Sequence, residues 1–289
     1  MATTIIQGFE DFRTKLEITS NQTTNVSSRQ QNVRKNVGAK LTVLDDFLTG
    51  SYMRSTMITP LRDADVDVFV VLASSYYESL PNGPANVLAR VKRVIDNSYS
   101  ESTEASRNGQ AITIKFSDFK VDVVPAFNRQ GGGYLIPDPM GKRWIATNPK
   151  THVQLWSESN KYHDYRLVPF IKMVKAWNRA HSRRFRSFHL ETMVRQMFQS
   201  RKIGAYADAA LHFFENAYTN VYVNDPAGLG GSLHSYMTNN LVFTVEVSTS
   251  LNAAATKARE AIAFNRNGDN AKAIGKWGII FGDFFPTFG

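Results

Sequence analysis

Residues 63–72, DADVDVFVVL, constrain this chain more than any other stretch. The segment alternates charged and apolar residues and then becomes continuously apolar. Side chains of a strand alternate between faces, so Asp65 and Asp67 share one face and Val66 and Val68 the other. The continuous half requires burial on both faces, as in a sheet covered on each side. The chain must therefore build a strand that enters a core with two carboxylates on a single face. Such a pair repels itself and is tolerated when solvated or when it shares a cation. Asp122, flanked by Val121 and Val123 within FKVDVVPAF (119–127), adds a third carboxylate on a second strand. Three carboxylates converging from adjacent strands are what a two-metal phosphoryl-transfer site requires. D-x-D alone more often marks an ordinary solvated strand end. Asp63 has the same parity but lies at the strand entrance and reads as structural or solvated.

The rest of the chain supplies a frame for these strands. Ile5, Ile6, Phe9, Phe12 and Leu16 predict an amphipathic helix over 5–18. The polar stretch 19–28 interrupts it or caps the next helix, with Ser27 or Ser28 as N-cap. Val33, Val37, Leu41, Leu44 and Leu48 extend helical spacing over 29–48. A helix over 84–98 starts at Pro84. Strands at 111–116 and 119–127 meet in a tight turn near Ser117-Asp118. Residues 131–144, rich in Gly and Pro, read as loop. Beyond 148–152 the pattern is mostly helical: 152–163, 167–181, 187–200, 204–219 and 251–266. An α/β (α+β) bilobed chain is expected, with a core lobe over 1–150 and a helical lobe over 151–289. Two such lobes commonly hold a ligand in the cleft between them.

Composition narrows the compartment and the partner. The 289 residues include no Cys, which excludes disulfides, thiolate metal sites and a thiol nucleophile. No apolar run approaches the ~18 residues of a membrane span, and the first residues lack the basic and apolar regions of a signal peptide. A cytoplasmic protein without membrane association is expected. With 34 Lys+Arg against 25 Asp+Glu the net charge is +9, which suits a polyanionic partner without naming it.

Gly50-Ser51 precedes the acidic strand. Gly permits close backbone approach to a phosphate and Ser supplies a hydroxyl donor. The order GSYMRSTM, DADVDV, DVVPAF, NPKTH (148–152), LVPFIKMVKAWN (167–178) and SFHLE (187–191) resembles the bacterial cGAS/DncV-like nucleotidyltransferases (CD-NTases). These belong to the DNA polymerase β-type superfamily and serve CBASS anti-phage signalling. The resemblance implies a polymerase β-like core with a mixed sheet and a C-terminal helical lobe. It implies a cyclic di- or oligonucleotide synthase that joins NTPs, releases pyrophosphate and signals to a downstream effector. Gly50 and Ser51 would hold the donor phosphates. Asp65, Asp67 and Asp122 would bind two Mg²⁺ ions, with Mn²⁺ as a substitute. Lys175 and Ser187 would contact the triphosphate, and Phe188 a base. A transferase acting on RNA or a small molecule, or a catalytically silent nucleotide sensor, are the alternatives on the same fold.

Other features carry less. Lys172, Lys175 and Arg179 fall on one face of the 167–180 helix and line either a cleft or an ordinary solvated surface. Arg166 to Arg186 contains seven cations and no carboxylate, a stretch that reads as one wall of an NTP cleft. His189 and Glu191 read as structural groups at a helix start. Relatives that sense duplex DNA use a Cys/His zinc insertion, so the absence of Cys argues against direct activation by duplex DNA. The end, GDFFPTFG, reads as a flexible tail. By the family resemblance, Gly289 is a candidate site for a ubiquitin-transfer-like conjugating partner.

Overall fold

The computed structural model describes residues 1–99, 103–106, 109–237 and 241–289. They form two compact units, Ile18–Gln154 and Met1–Glu17 with Leu155–Gly289. The first 17 residues thus group with the helical unit, whereas a division into 1–150 and 151–289 put them with the sheet. Helix α1 (Ile5–Lys15) explains why: Phe9 and Phe12 pack against Phe281 and Phe285 at the far end of the chain.

The sheet unit opens with α2 (Ser20–Gly38). Thr19 and Gln22 form a reciprocal capping box, with Gln22 N–H donating to Thr19 Oγ1 at 3.3 Å and Thr19 N–H to Gln22 Oε1 at 2.8 Å. The N-cap therefore stands eight residues before Ser27. The helix stops at Gly38, and β1 (Val43–Thr49) replaces the last turns that the Leu41/Leu44/Leu48 spacing suggests. Pairing with β2 (Asp65–Leu72) prevails over that spacing, and Leu44 is left exposed.

Strand β2 is as its sequence requires. Asp65 and Asp67 keep solvent access while Val66 and everything from Val68 to Leu72 is buried. It pairs antiparallel with β1 and parallel with β5 (Lys120–Asn128). Crossover between them runs through α4 (Gly83–Asp96), β3 (Thr103–Ala105) and β4 (Ile112–Lys115). Residues 131–144, expected as loop, instead enclose β6 (Tyr134–Asp138), and β7 (Arg143–Thr147) returns antiparallel to it. Three successive glycines, Gly131 to Gly133, have φ of 86°, 95° and 73°, a left-handed path that turns β5 back into β6. Strand order is β1-β2-β5-β4-β3, with β6 on β5 and β7 on β6, a mixed sheet.

The two faces of the sheet are unlike. Val66, Val68, Val70, Leu72, Val121 and Val123 pack with Val26, Val33 and Val37 of α2 and Val87, Val91 and Ile95 of α4. The opposite face bears a smaller cluster, Phe69, Val71, Val124, Ala126 and Ala111, with Phe47 and Tyr134 against it. The carboxylates stand on this second face, next to the smaller cluster.

Helix α5 (Pro149–Tyr162) leads into the helical unit, followed by α6 (Leu167–Ala180), α7 (Ser187–Met197), α8 (Tyr206–Asn216), α9 (Leu241–Arg266) and α10 (Asn270–Phe281). Helix α9 begins earlier than expected. Helix α10, absent from the sequence reading, starts at an Asp269 cap that accepts from Lys272 N–H at 3.1 Å and buries Trp277 and Phe281. The last residues are tied down. Phe285 is buried, Ala2 and Phe288 form a parallel bridge, and Ala2 N–H donates to Thr287 O at 2.9 Å. The expected free tail is thus a docked one. Among the described residues no helix is long and apolar enough to cross a membrane.

Candidate active site

Register assembles the site. Thr49 opposes Asp67, Asp67 opposes Asp122, and Asp122 opposes Thr113. Opposed residues share a face, so this is one polar row across four strands. Asp65 opposes Lys120 in the next row, and the two approach to 3.9 Å, both half-exposed. Such a solvated pair holds its partners loosely.

Gly50 follows the first residue of that row and begins the single turn α3 (Gly50–Met53). Its φ is +67°, and a Cβ placed on it would lie 1.7 Å from Asp67 Oδ2. No other residue fits: the backbone passes directly over the carboxylate. Ser51 O accepts Thr56 N–H at 2.9 Å and Met57 N–H at 3.1 Å, which fixes the turn from below. Asp65, Asp67 and Asp122 therefore share one face of the sheet, with the Gly50-Ser51 turn laid over Asp67.

Electrostatics separate the carboxylates. Burial pushes the Asp122 carboxyl up to about 6, against the opposing pull of a Thr113 hydrogen bond, and the charge of Asp65 adds to the rise. Thr113 Oγ1 donates to Asp122 Oδ1 at 2.5 Å. The surrounding sheet also raises Asp65, and Lys120 opposes that shift. Thr113 and Lys120 join the site although no motif marks them. The alternation of AITIKF carried the signal for Thr113, which sits between buried Ile112 and Ile114.

The donor set has the chemistry of a divalent-cation site: hard carboxylate oxygens on one face, one of them costly to ionise without a nearby cation. Among the described residues no three His, Asp or Glu side chains already stand close enough together to hold a metal ion. The donors share a face but are not gathered.

The remaining predicted residues lie in the helical unit. Lys175 is buried and donates to Glu191 Oε1 at 3.0 Å; Glu191 is fully buried. Lys172 is also buried and reaches Glu17 at 2.6 Å. Neither lysine stands on a solvated surface, because α6 is buried nearly all round. Arg184 approaches Glu246 at 3.6 Å. The stretch without local carboxylates thus draws its partners from elsewhere in the same unit, and part of the expected cationic wall is neutralised. Ser187 is exposed at the first position of α7, and Phe188 stacks on Trp156 with ring centroids 5.6 Å apart. His189 is buried as a structural group, its ring held well below the usual range, at about 4, chiefly by burial.

Comparison with known proteins gives this geometry its family. The Second Messenger Oligonucleotide or Dinucleotide Synthetase (SMODS) domain matches residues 3–160. A probable cyclic nucleotide synthase of Bacillus cereus is 30% identical over 275 residues, covering 82% of this chain and 81% of the relative. A cyclic AMP-AMP-AMP synthase of an Acinetobacter strain is 27% identical over 265 residues, covering 83% of this chain and 72% of the relative. The apo structure of Vibrio cholerae DncV shares the fold with a TM-score of 0.78 at 13% identity, over 98% of this chain and 96% of that one. The mixed sheet and its carboxylate row sit on a CD-NTase nucleotidyltransferase fold, and the chain belongs to the SMODS family of cyclic oligonucleotide synthases.

Proposed function

We propose that this protein is a metal-dependent synthase that joins nucleoside triphosphates and closes the product into a ring, an anti-phage second messenger acting on a downstream effector. The observation that carries the proposal is the Gly50 turn laid over Asp67, in one row with Asp122. The donor triphosphate lies on Gly50 and Ser51, whose hydroxyl donates to a phosphate oxygen. By the family resemblance Ser187 would contact the triphosphate and Phe188 a base; Lys175 would have to leave its pair with Glu191 to do the same. Asp65, Asp67 and Asp122 would hold two Mg²⁺ ions, or Mn²⁺ in their place. When bound, the metal lowers the pKa of the attacking hydroxyl and neutralises charge on pyrophosphate. Asp122, oriented by the Thr113 hydroxyl and ionised beside the cation, would take the proton of the acceptor ribose hydroxyl. That oxygen bonds to the α-phosphorus, the bond to the bridging oxygen breaks, and pyrophosphate leaves. A second transfer in the same site closes the ring. Catalysis is chiefly positioning and charge stabilisation.

Incubation with all four NTPs followed by phosphatase and mass spectrometry tests this. A product without terminal phosphate is expected, and a double Asp65→Asn/Asp67→Asn variant should make none. Undiminished product from that variant would overturn the site assignment, and a phosphatase-sensitive product would favour transfer to another acceptor. One relative is named for a three-nucleotide ring, so ring size is among the quantities to be read.

Gly289 is proposed as the conjugation site for a ubiquitin-transfer-like partner. The Ala2–Phe288 bridge would first have to open. Intact mass after co-expression with neighbouring genes reads the outcome, and unmodified protein counts against it.

A further inference from the structure

Two buried titratable residues of the SFHLE motif, His189 and Glu191, have no part in the chemistry above. Glu191 holds Lys175. His189 is held by a different element. Its Nδ1 lies 2.7 Å from the Tyr236 hydroxyl, its Nε2 lies 2.8 Å from Val221 O, and its surface is 1% exposed. The same Tyr236 hydroxyl accepts the backbone N–H of Arg186 at 3.1 Å. Arg186 is the N-cap residue of α7, and its own carbonyl accepts Leu190 N–H at 3.0 Å.

The protons in this chain have one arrangement. Tyr236 has a single hydroxyl hydrogen. Val221 O can only accept, so the neutral His189 ring bears its proton on Nε2, and its bare Nδ1 accepts the Tyr236 hydroxyl hydrogen. Burial, which keeps the imidazole neutral and the phenol protonated, supports that arrangement. Both backbone groups of Arg186 are thereby fixed, and with them the direction in which Ser187 and Phe188 leave the cap.

The element that delivers Tyr236 is braced. Leu233 N–H donates to Val223 O at 3.0 Å, and Asn224 bridges Ser232. The buried Asp225 carboxylate accepts the N–H groups of Ala227, Leu229 and Gly230, the last at 2.7 Å. A segment whose role was only to connect α8 to α9 has no need of a tyrosine hydroxyl on a helix cap. The first turn of a helix presents N–H groups that have no helical partner, and anion contacts there depend on where that turn points.

We propose that Tyr236 is a positioning residue for nucleotide binding: through Arg186 and His189 it sets the first turn of α7, with 221–237 as the strap that carries it. This rests on the assignment of Ser187 to the triphosphate. The test measures affinity for the α,β-methylene analogues of ATP and GTP with Mg²⁺, taking whichever binds wild type more tightly. Tyr236→Phe removes only the hydroxyl and keeps the ring over Arg186, 4.6 Å from its guanidinium carbon. Because His189 Nδ1 and the Arg186 N–H lose a partner, its melting temperature should fall by only a few degrees, while affinity measured well below the transition falls about tenfold, the order of one lost buried hydrogen bond. Tyr222→Phe, on the exposed side of the same strap, should bind like wild type.

Ser187→Ala should also weaken binding, and the double Tyr236→Phe/Ser187→Ala variant should bind like Ser187→Ala alone, because the two act through one contact. Wild-type affinity in Tyr236→Phe would overturn the proposal. So would additive losses in the double variant, which would assign Tyr236 a role unrelated to Ser187. If Ser187→Ala, or wild type itself, shows no dependence on that turn, the nucleotide assignment of α7 falls and the proposal falls with it.

Discussion

Gly50 and Asp122 concentrate the chemistry of the sheet unit into two testable atoms. Replacing Gly50 by Ala forces a left-handed φ on a residue with a Cβ and drives that Cβ into Asp67 Oδ2. Cyclic product should fall about a hundredfold or more, by strain and displacement of a reacting carboxylate. Pyrophosphate release measures it, and near-wild-type turnover would show that the turn does not need its glycine. Asp122 makes a prediction about pH. Its folded pKa lies above the ordinary value of 3.8, at about 6. The native state therefore favours the protonated acid, and that contribution to stability is present below about 3.8 and lost as pH rises through about 6. Asp122→Asn should melt above wild type at pH 7.5 without metal and level with it near pH 4. Mg²⁺ should raise the wild-type midpoint at pH 7.5 and leave the variant's unmoved. Identical pH profiles for the two proteins would sink this account.

At the scale of elements, caps and register decide what forms. The Thr19/Gln22 capping box sets the start of α2, so Thr19→Ala should cost about 1 kcal/mol. Ser28→Ala, mid-helix and exposed, should be neutral or slightly stabilising. Urea unfolding of the two variants decides between a start at Thr19 and one at Ser28. The sequence was most legible where two constraints coincided. In β2, alternation and continuous apolarity agree, and the strand, its face and its burial all follow. In β1 they conflict: Leu41, Leu44 and Leu48 satisfy a helix, and only the partner strand, distant in sequence, turns 43–49 into an edge. The β6/β7 hairpin is hidden by Gly and Pro residues that make its turns. Site residues follow the same division. Gly50, Asp65, Asp67 and Asp122 are adjacent through local periodicity plus one register, whereas the partners of Lys172 and Lys175 are Glu17 and Glu191, which no local pattern pairs with them.

The whole chain carries +9, yet its cations are not a uniform surface. Lys172, Lys175 and Arg184 are each matched by a carboxylate within their own unit. With that matching, and with no cysteine for a zinc insertion, duplex DNA should leave pyrophosphate release within about twofold of its basal rate at physiological salt, where screening is strong. A large DNA-dependent stimulation would place a nucleic-acid site on this molecule.

The row Thr49–Asp67–Asp122–Thr113 also acts on strand alignment. Slide β5 by one residue along β2 and its side chains exchange faces. Asp122 would then enter the valine-rich layer under α2 and α4, and Val121 or Val123 would take its place in the polar row. A carboxylate driven into that layer costs several kcal/mol, and the valine it displaced would lose its burial. The groups that endow the sheet with reactivity thus also proofread its assembly, penalising every slip by an odd number of residues before a catalytic surface exists.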